Sequence, residues 1–183
     1  VEVVQDGAAT AVRLGDETVL IDAPAGTAGG VGRGAGVSGV VCTSGRMERL
    51  SGLLEVLRLH PALDLWVPLA DDRAAAVGEL ARQAWGVSVV LDALTPGTEV
   101  AVGAGVLSVH GATTDDGGVA LGVRLVHGDV TVAYVPRCRV DGAARRLVRG
   151  ADAVVLEPGA FALEVAMGLA GGADLVLAPV ALA

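Results

Sequence analysis

VSGVVCTSGRMERLSGLLEVL, residues 37–57, reads as a strand that gives way to a helix within a few residues. Gly36 and Gly39 bracket the strand start, and Val40, Val41 and Cys42 form a short apolar run that closes at Thr43. Leu50, Leu53, Leu54 and Leu57 then recur at i, i+3, i+4 and i+7, so one helical face is apolar. Ser44 is placed to accept from the free N–H groups of the first turn, and Glu48 suits the positive end of the helix dipole.

The composition around this corner sets bounds. A chain of 183 residues is long enough for one domain with a substantial core and too short for two ordinary ones. Hydrophobic residues make up 52% but aromatic ones only 2%, so the core must be built from Val, Leu and Ala. No run approaches the roughly 18 apolar residues of a membrane span. The start VEVVQDG has no basic-then-apolar leader pattern, and a soluble cytoplasmic protein is expected. Cys42 and Cys138 offer neither a disulfide framework nor zinc-knuckle spacing and read as small buried residues. A net charge of −8 argues against general nucleic-acid binding, which depends on neutralising phosphates, but leaves room for a local cationic pocket.

Upstream of the corner, strands are expected at 1–4, 10–14 and 18–21, the last two joined as a hairpin through Gly15-Asp16-Glu17. Residues 25–39 are rich in Gly and Ala with Arg33 as the one charge, and read as a flexible loop. GVGRGAG lacks the Lys-Ser/Thr of a phosphate-binding loop. Downstream, a strand at 63–68 precedes a helix at 72–85, capped by Asp71, ended by Gly86 and presenting Val77, Leu80, Ala81, Ala84 and Trp85 at helical spacing. Strands follow at 87–91, 99–102, 106–110, 120–126 and 130–134. A helix at 141–148, a strand at 153–156, a helix at 161–170 and a strand at 175–177 complete the chain. The second hairpin echoes the first: Val12-Arg13-Leu14, Gly15-Asp16, Thr18-Val19 is matched by Val123-Arg124-Leu125, Gly128-Asp129, Thr131-Val132, as two similar halves would show.

The corner resembles the metal-binding segment of the metallo-β-lactamase superfamily, Thr-His-x-His-x-Asp-His-x-x-Gly between a strand and a helix. Thr43 and Gly52 stand where the family has Thr and Gly, Glu48 where it has Asp, and Ser44, Arg46 and Arg49 where it has His. LGVRL at 121–125, VAY at 132–134, ADAVVLE at 151–157 and ADLVL at 173–177 are similar to later superfamily strands in the same order. The resemblance implies an α/β (α+β) fold, a four-layer αββα sandwich, over a single domain of residues 1–183. It also implies which positions line the family's cavity. Asp22 resembles the Asp that supports the metal from behind, Arg137 and Cys138 follow the strand that precedes the bridging Asp, and Pro179 follows the last strand, where the family has a His. The remaining His position falls near His110 or Asp115.

The residues expected around a vestigial site are therefore Asp22, Ser44, Arg46, Glu48, Arg49, His110, Asp115, Arg137, Glu157 and Pro179. Neither Ser nor a protonated guanidinium ligates zinc, so no metal and no cofactor are expected. Oxygen donors among Glu48, Asp22, Asp115, Asp116 and Glu157, with His110, would suit Mg, Ca or Mn, although three nearby guanidiniums oppose a dication. Arg46, Arg49 and Arg137 either form ion pairs with the carboxylates or bind an anionic group. Ser44 with His110 or His127 lacks a nucleophile-elbow motif, His60 reads as a helix C-terminal residue, and Cys138 beside Arg137 is the one thiol near the cavity. The expected role is non-catalytic, in binding a small anionic ligand or a protein partner, with no nucleic acid and no membrane. The alternative is a hydrolase of esters, phosphodiesters or thioesters with a rebuilt site, as the superfamily implies.

Overall fold

The computed structural model describes residues 1–6, 9–31, 36–69, 72–157 and 160–177. Its chain divides after Leu94 into two compact units. In the first, six strands lie in chain order: β1 (Glu2–Asp6), β2 (Ala9–Leu14), β3 (Glu17–Ile21), β4 (Val37–Val41), β5 (Ala62–Pro68) and β6 (Ser88–Leu94). The pairs up to β2–β3 are antiparallel and the pairs from β3–β4 onward are parallel. Parallel neighbours need crossovers, and these are supplied by α1 (Thr27–Val31), α2 (Met47–Leu50), α3 (Leu53–Leu59) and α4 (Asp72–Trp85).

Burial follows the alternation of the strands. Leu20, Val40, Leu63, Leu65 and Val67 pack with Leu50, Leu53, Val56, Leu57, Ala74 and Ala81 of the helices. The residues between them, Val12, Val19, Ile21, Val41 and Trp66, are buried as well, which is why these strands read as continuous apolar runs. Each fully buried Val or Leu contributes about 1.5–3 kcal/mol relative to exposure.

Three local readings change here. The helix expected after Thr43 is two, α2 and α3, broken at Ser51-Gly52 because the Gly52 N–H donates to the carbonyl of Ala23 (2.8 Å). A Cβ at Gly52 would overlap the Pro24 carbonyl, so only glycine permits this approach. The loop expected at 25–39 contains α1, whose first turn is tied down by Thr27 Oγ1 donating to Pro24 O (2.6 Å). Arg33 and the expected cap Asp71 lie outside the described residues. The third change is on α4, which has the expected bounds but packs through Ala74, Gly78 and Ala81, while Leu80 and Trp85 are exposed. Leu65 and Leu91 press against Gly78, and small residues bring the helix close to the sheet.

The second unit repeats the plan. Strands β7 (Glu99–Val102), β8 (Gly105–Thr113), β9 (Val119–His127) and β10 (Val130–Val135) are antiparallel, and β11 (Ala153–Leu156) and β12 (Asp174–Leu177) add parallel to β10. Helices α5 (Gly142–Val148) and α6 (Leu163–Ala170) supply Ala144, Leu147, Ala166 and Leu169 to a core with Ala133, Val135, Val154 and Leu156. The Asp141 carboxylate caps α5 by accepting from the N–H groups of Ala143 (2.8 Å) and Ala144 (3.0 Å). The hairpins β2–β3 and β9–β10, matched in sequence, are also matched in place: each is followed by a strand that pairs parallel to its second member. Among the described residues no helix is long and apolar enough to cross a membrane.

Candidate functional site

Parallel strands end at one edge of a sheet, so the segments after β3 and β4 emerge together. Asp22 follows β3 with φ 59°, a left-handed conformation that Asp adopts more readily than most side-chain-bearing residues. Its Oδ1 accepts from the Thr43 N–H (2.7 Å) and its Oδ2 from Thr43 Oγ1 (2.7 Å). Arg49, on α2, donates from Nη1 to Thr43 Oγ1 and stands 3.7 Å from Asp22 Oδ2. Asp22 is 4% and Arg49 5% exposed. Charges so buried are tolerated only when paired and hydrogen-bonded, as both are here. The backbone fastens the same corner, since Ala23 N–H donates to the Arg49 carbonyl (2.8 Å) and Gly52 N–H to the Ala23 carbonyl.

Around this centre Ser44 is half-buried, and its hydroxyl accepts from the Arg46 N–H (3.4 Å). It closes a local turn rather than capping α2, whose first flanking residue is Arg46. Arg46 is half-buried, and Glu48 is exposed in the first turn of α2. Arg73 of α4 donates to the Gly45 carbonyl (3.4 Å), a link to the corner that the sequence reading missed.

The second unit has its own group of strand ends, those of β8, β10 and β11. Glu157 follows β11, its N–H donating to the Val135 carbonyl (3.0 Å) and its carboxylate accepting from the backbone N–H of Arg137. The Arg137 side chain is exposed. Asp115 is exposed too, and its carbonyl, not its carboxylate, accepts from Arg139 Nη2 (2.8 Å). Arg139, a residue outside the expected set, also donates its N–H to the Thr113 carbonyl (2.7 Å) and so ties the loop after β8 to the segment after β10. Asp116 closes the GATTDDGG loop by accepting from Thr114 Oγ1 and the Gly118 N–H. Cys138 is buried in the α5/α6 core, as expected of a small apolar residue.

His110 lies elsewhere in this unit. It sits within β8 opposite Gly122, three residues before the strand end, on the face that also carries Ala112 of the helix-side core. Its Nε2 is 3.3 Å from Ser108 Oγ. Burial holds its pKa below the ordinary value of 6.5, the Arg124 charge adds to this, and Glu99 opposes it. His60 is the C-cap of α3, with its N–H on the Val56 carbonyl (2.9 Å). Pro179 lies outside the described residues. Among the described residues no three His, Cys, Asp or Glu side chains gather as metal ligands would.

No protein-family model matches the sequence, and no curated protein matches it. Solved structures do match, and they define the class: with its two sheets and flanking helices the chain has the metallo-β-lactamase fold. Zn2+-bound PqqB from Methylobacterium extorquens is similar with a TM-score of 0.69 at 16% identity, over 82% of this chain and 59% of that one. The metallo-β-lactamase fold protein YhfI from Bacillus subtilis follows with a TM-score of 0.65 at 13% identity, over 80% and 61%. Igni18, a metallo hydrolase from the archaeon Ignicoccus hospitalis, has a TM-score of 0.62 at 14% identity, over 96% and 93%. The matched part thus spans 59% and 61% of the first two neighbours.

Proposed function

We propose that this chain is a metallo-β-lactamase-fold domain that works without the dinuclear metal centre, as a module holding an anionic ligand or a protein partner and not as a catalyst. The observation that carries this reading is Arg49. At a position where the resembled motif has a histidine, its guanidinium is buried on Asp22 and Thr43. A buried carboxylate at a strand end needs a compensating cation, and here the chain supplies one from its own side chain. The residues do not fit a zinc pair: zinc takes imidazole, thiolate or carboxylate donors, whereas Ser44, Arg46 and Arg49 offer a hydroxyl and two protonated guanidiniums.

Elemental analysis of untagged protein tests the reading. Zn, Fe and Mn well below one atom per chain are expected, together with a melting temperature that a chelator leaves unchanged. One or two tightly held metal atoms per chain, with metal-dependent cleavage of an ester, phosphodiester or thioester, would establish the hydrolase instead. A melting series in phosphate, at constant ionic strength, tests for the anionic ligand, because binding to the folded state alone raises the melting temperature by mass action.

A further inference from the structure

Helices α5 and α6 both end at a cleft of about 650 Å³ on the second unit, a size ordinary for small-molecule sites. Its apolar wall is Val148 of α5, Leu169 and Ala170 of α6, and Ala151 and Ala173 just before β11 and β12. The turn Gly171-Gly172, at φ 63° and 126°, completes the wall without a side chain. Two arginines of α5, Arg145 and Arg149, one helical turn apart, line the same cleft. Both are exposed, and among the described residues neither side chain has a hydrogen bond or an ion pair. Like charges at that spacing repel one another, and an anion between them relieves the repulsion.

The groups that oppose an anion are engaged or turned away. Asp152 lines the cleft, but its carboxylate accepts from the Thr131 N–H (2.7 Å). Asp174, the other acidic residue of the lining, alternates with Leu175, which packs on the helix-side core, so its side chain takes the opposite face of β12. Glu164 borders the adjoining groove between α5 and α6 and not the cleft itself. The carbonyls at the helix ends have donors as well. Those of Leu147 and Arg149 accept from Arg124 Nη1 (2.7 and 3.0 Å), and those of Val148, Met167 and Ala170 accept from the N–H groups of Ala151, Gly171 and Ala173. Arg124 thereby sets a cation against the negative end of α5.

We propose that this cleft holds a small amphipathic anion, its carboxylate or phosphate group gripped by Arg145 and Arg149 and its apolar body laid against Val148, Leu169 and Ala173. A guanidinium fork matches either oxyanion. An inorganic anion leaves the apolar wall facing water, and an uncharged apolar molecule leaves the two guanidiniums repelling, so the occupant carries both parts. Nothing at the Asp22–Arg49 corner is required, and the site is independent of the metal-free reading.

Isothermal titration of the full chain with octanoate, octyl phosphate, octanol and inorganic phosphate tests the proposal. Octanoate or octyl phosphate is expected to bind with a dissociation constant below about 1 mM, the tighter of the two identifying the head group. Octanol and inorganic phosphate should bind at least about tenfold more weakly. Arg145→Ala and Arg149→Ala should each weaken the tighter ligand about tenfold, with melting temperatures near that of the parent because neither side chain has a partner to lose. Arg146→Ala, on the same helix but outside the cleft, should leave binding unchanged. The proposal is overturned if neither amphipathic anion binds, or if octanol or inorganic phosphate binds as tightly. Binding retained by the Arg145→Ala/Arg149→Ala double variant would place the anion elsewhere, the strand exits included, and overturn it too.

Discussion

The two units close their parallel strand pairs with the same device at very different depths. In the first, Asp22 after β3 reaches across to the N–H of the residue two beyond β4, Thr43. In the second, Glu157 after β11 reaches back to the N–H of the residue two beyond β10, Arg137. Both carboxylates thereby hold the exits of neighbouring strands together. The difference is depth: Asp22 is buried, with the Arg49 guanidinium 3.7 Å away, whereas Glu157 is half-buried at the N–H of an exposed residue. A carboxylate–amide clamp can thus be a modest surface tie or a point on which stability depends, according to whether water competes for it.

The comparison can be broken most forcefully at Asp22. Asp22→Ala should cost about 3–5 kcal/mol, because it takes away the carboxylate paired with the buried Arg49 guanidinium. Arg49→Met in the same background should recover part of that loss, and urea denaturation of both variants measures the coupling. Next in size is Gly52→Ala. The added Cβ meets the Pro24 carbonyl, which is backbone and cannot turn aside, so a loss of about 1–3 kcal/mol is expected in the same denaturation series. Glu157→Gln sharpens the contrast from the other side. It keeps an acceptor for the Arg137 N–H in a partly solvated place, and a smaller loss than that of Asp22→Ala is expected.

The smallest effect concerns pH. Burial lowers the pKa of His110 in the folded chain, so just below the ordinary value of 6.5 the unfolded chain binds more protons there than the folded one. Stability contributed by the neutral imidazole is complete above about pH 6.5 and declines as pH falls from there toward the folded pKa. His60, lowered by burial as well, declines in the same direction. His110→Gln should therefore flatten part of this limb and leave the remainder, as thermal melts between pH 5 and 8 would record.

Most element positions were legible because glycine turns and apolar runs punctuate the chain. The bounds of α4, β7 and β11 coincide with the sequence expectation, and the strands of the two hairpins fall within one residue of it. What escaped reading depends on distant partners. The break between α2 and α3 is imposed by the Ala23 and Pro24 carbonyls, which leave no mark in the helical periodicity of residues 47–59. Arginine is a surface residue by default, so the burial of Arg49 is intelligible only once Asp22 is in place. Arg73 and Arg139 bind carbonyl oxygens, acceptors that every residue carries and no sequence pattern advertises. His110 shows the limit of strand reading, because a single residue of register decides which face of β8 it takes.

The strictly sequential strand order in both sheets bears on how the chain is made. Among the described residues no strand is inserted between two earlier ones, so each can add to an edge already present as synthesis proceeds, with only its own crossover to close. Such sheets have fewer distant pairings than interleaved ones, and topology of this kind favours speed. Once Leu94 has emerged, every described strand of the first sheet is available, and these six can pair before the first strand of the second has been translated. A nascent chain stalled beyond that point, with enough further residues to clear the ribosome, would already hold the Asp22–Arg49 corner closed.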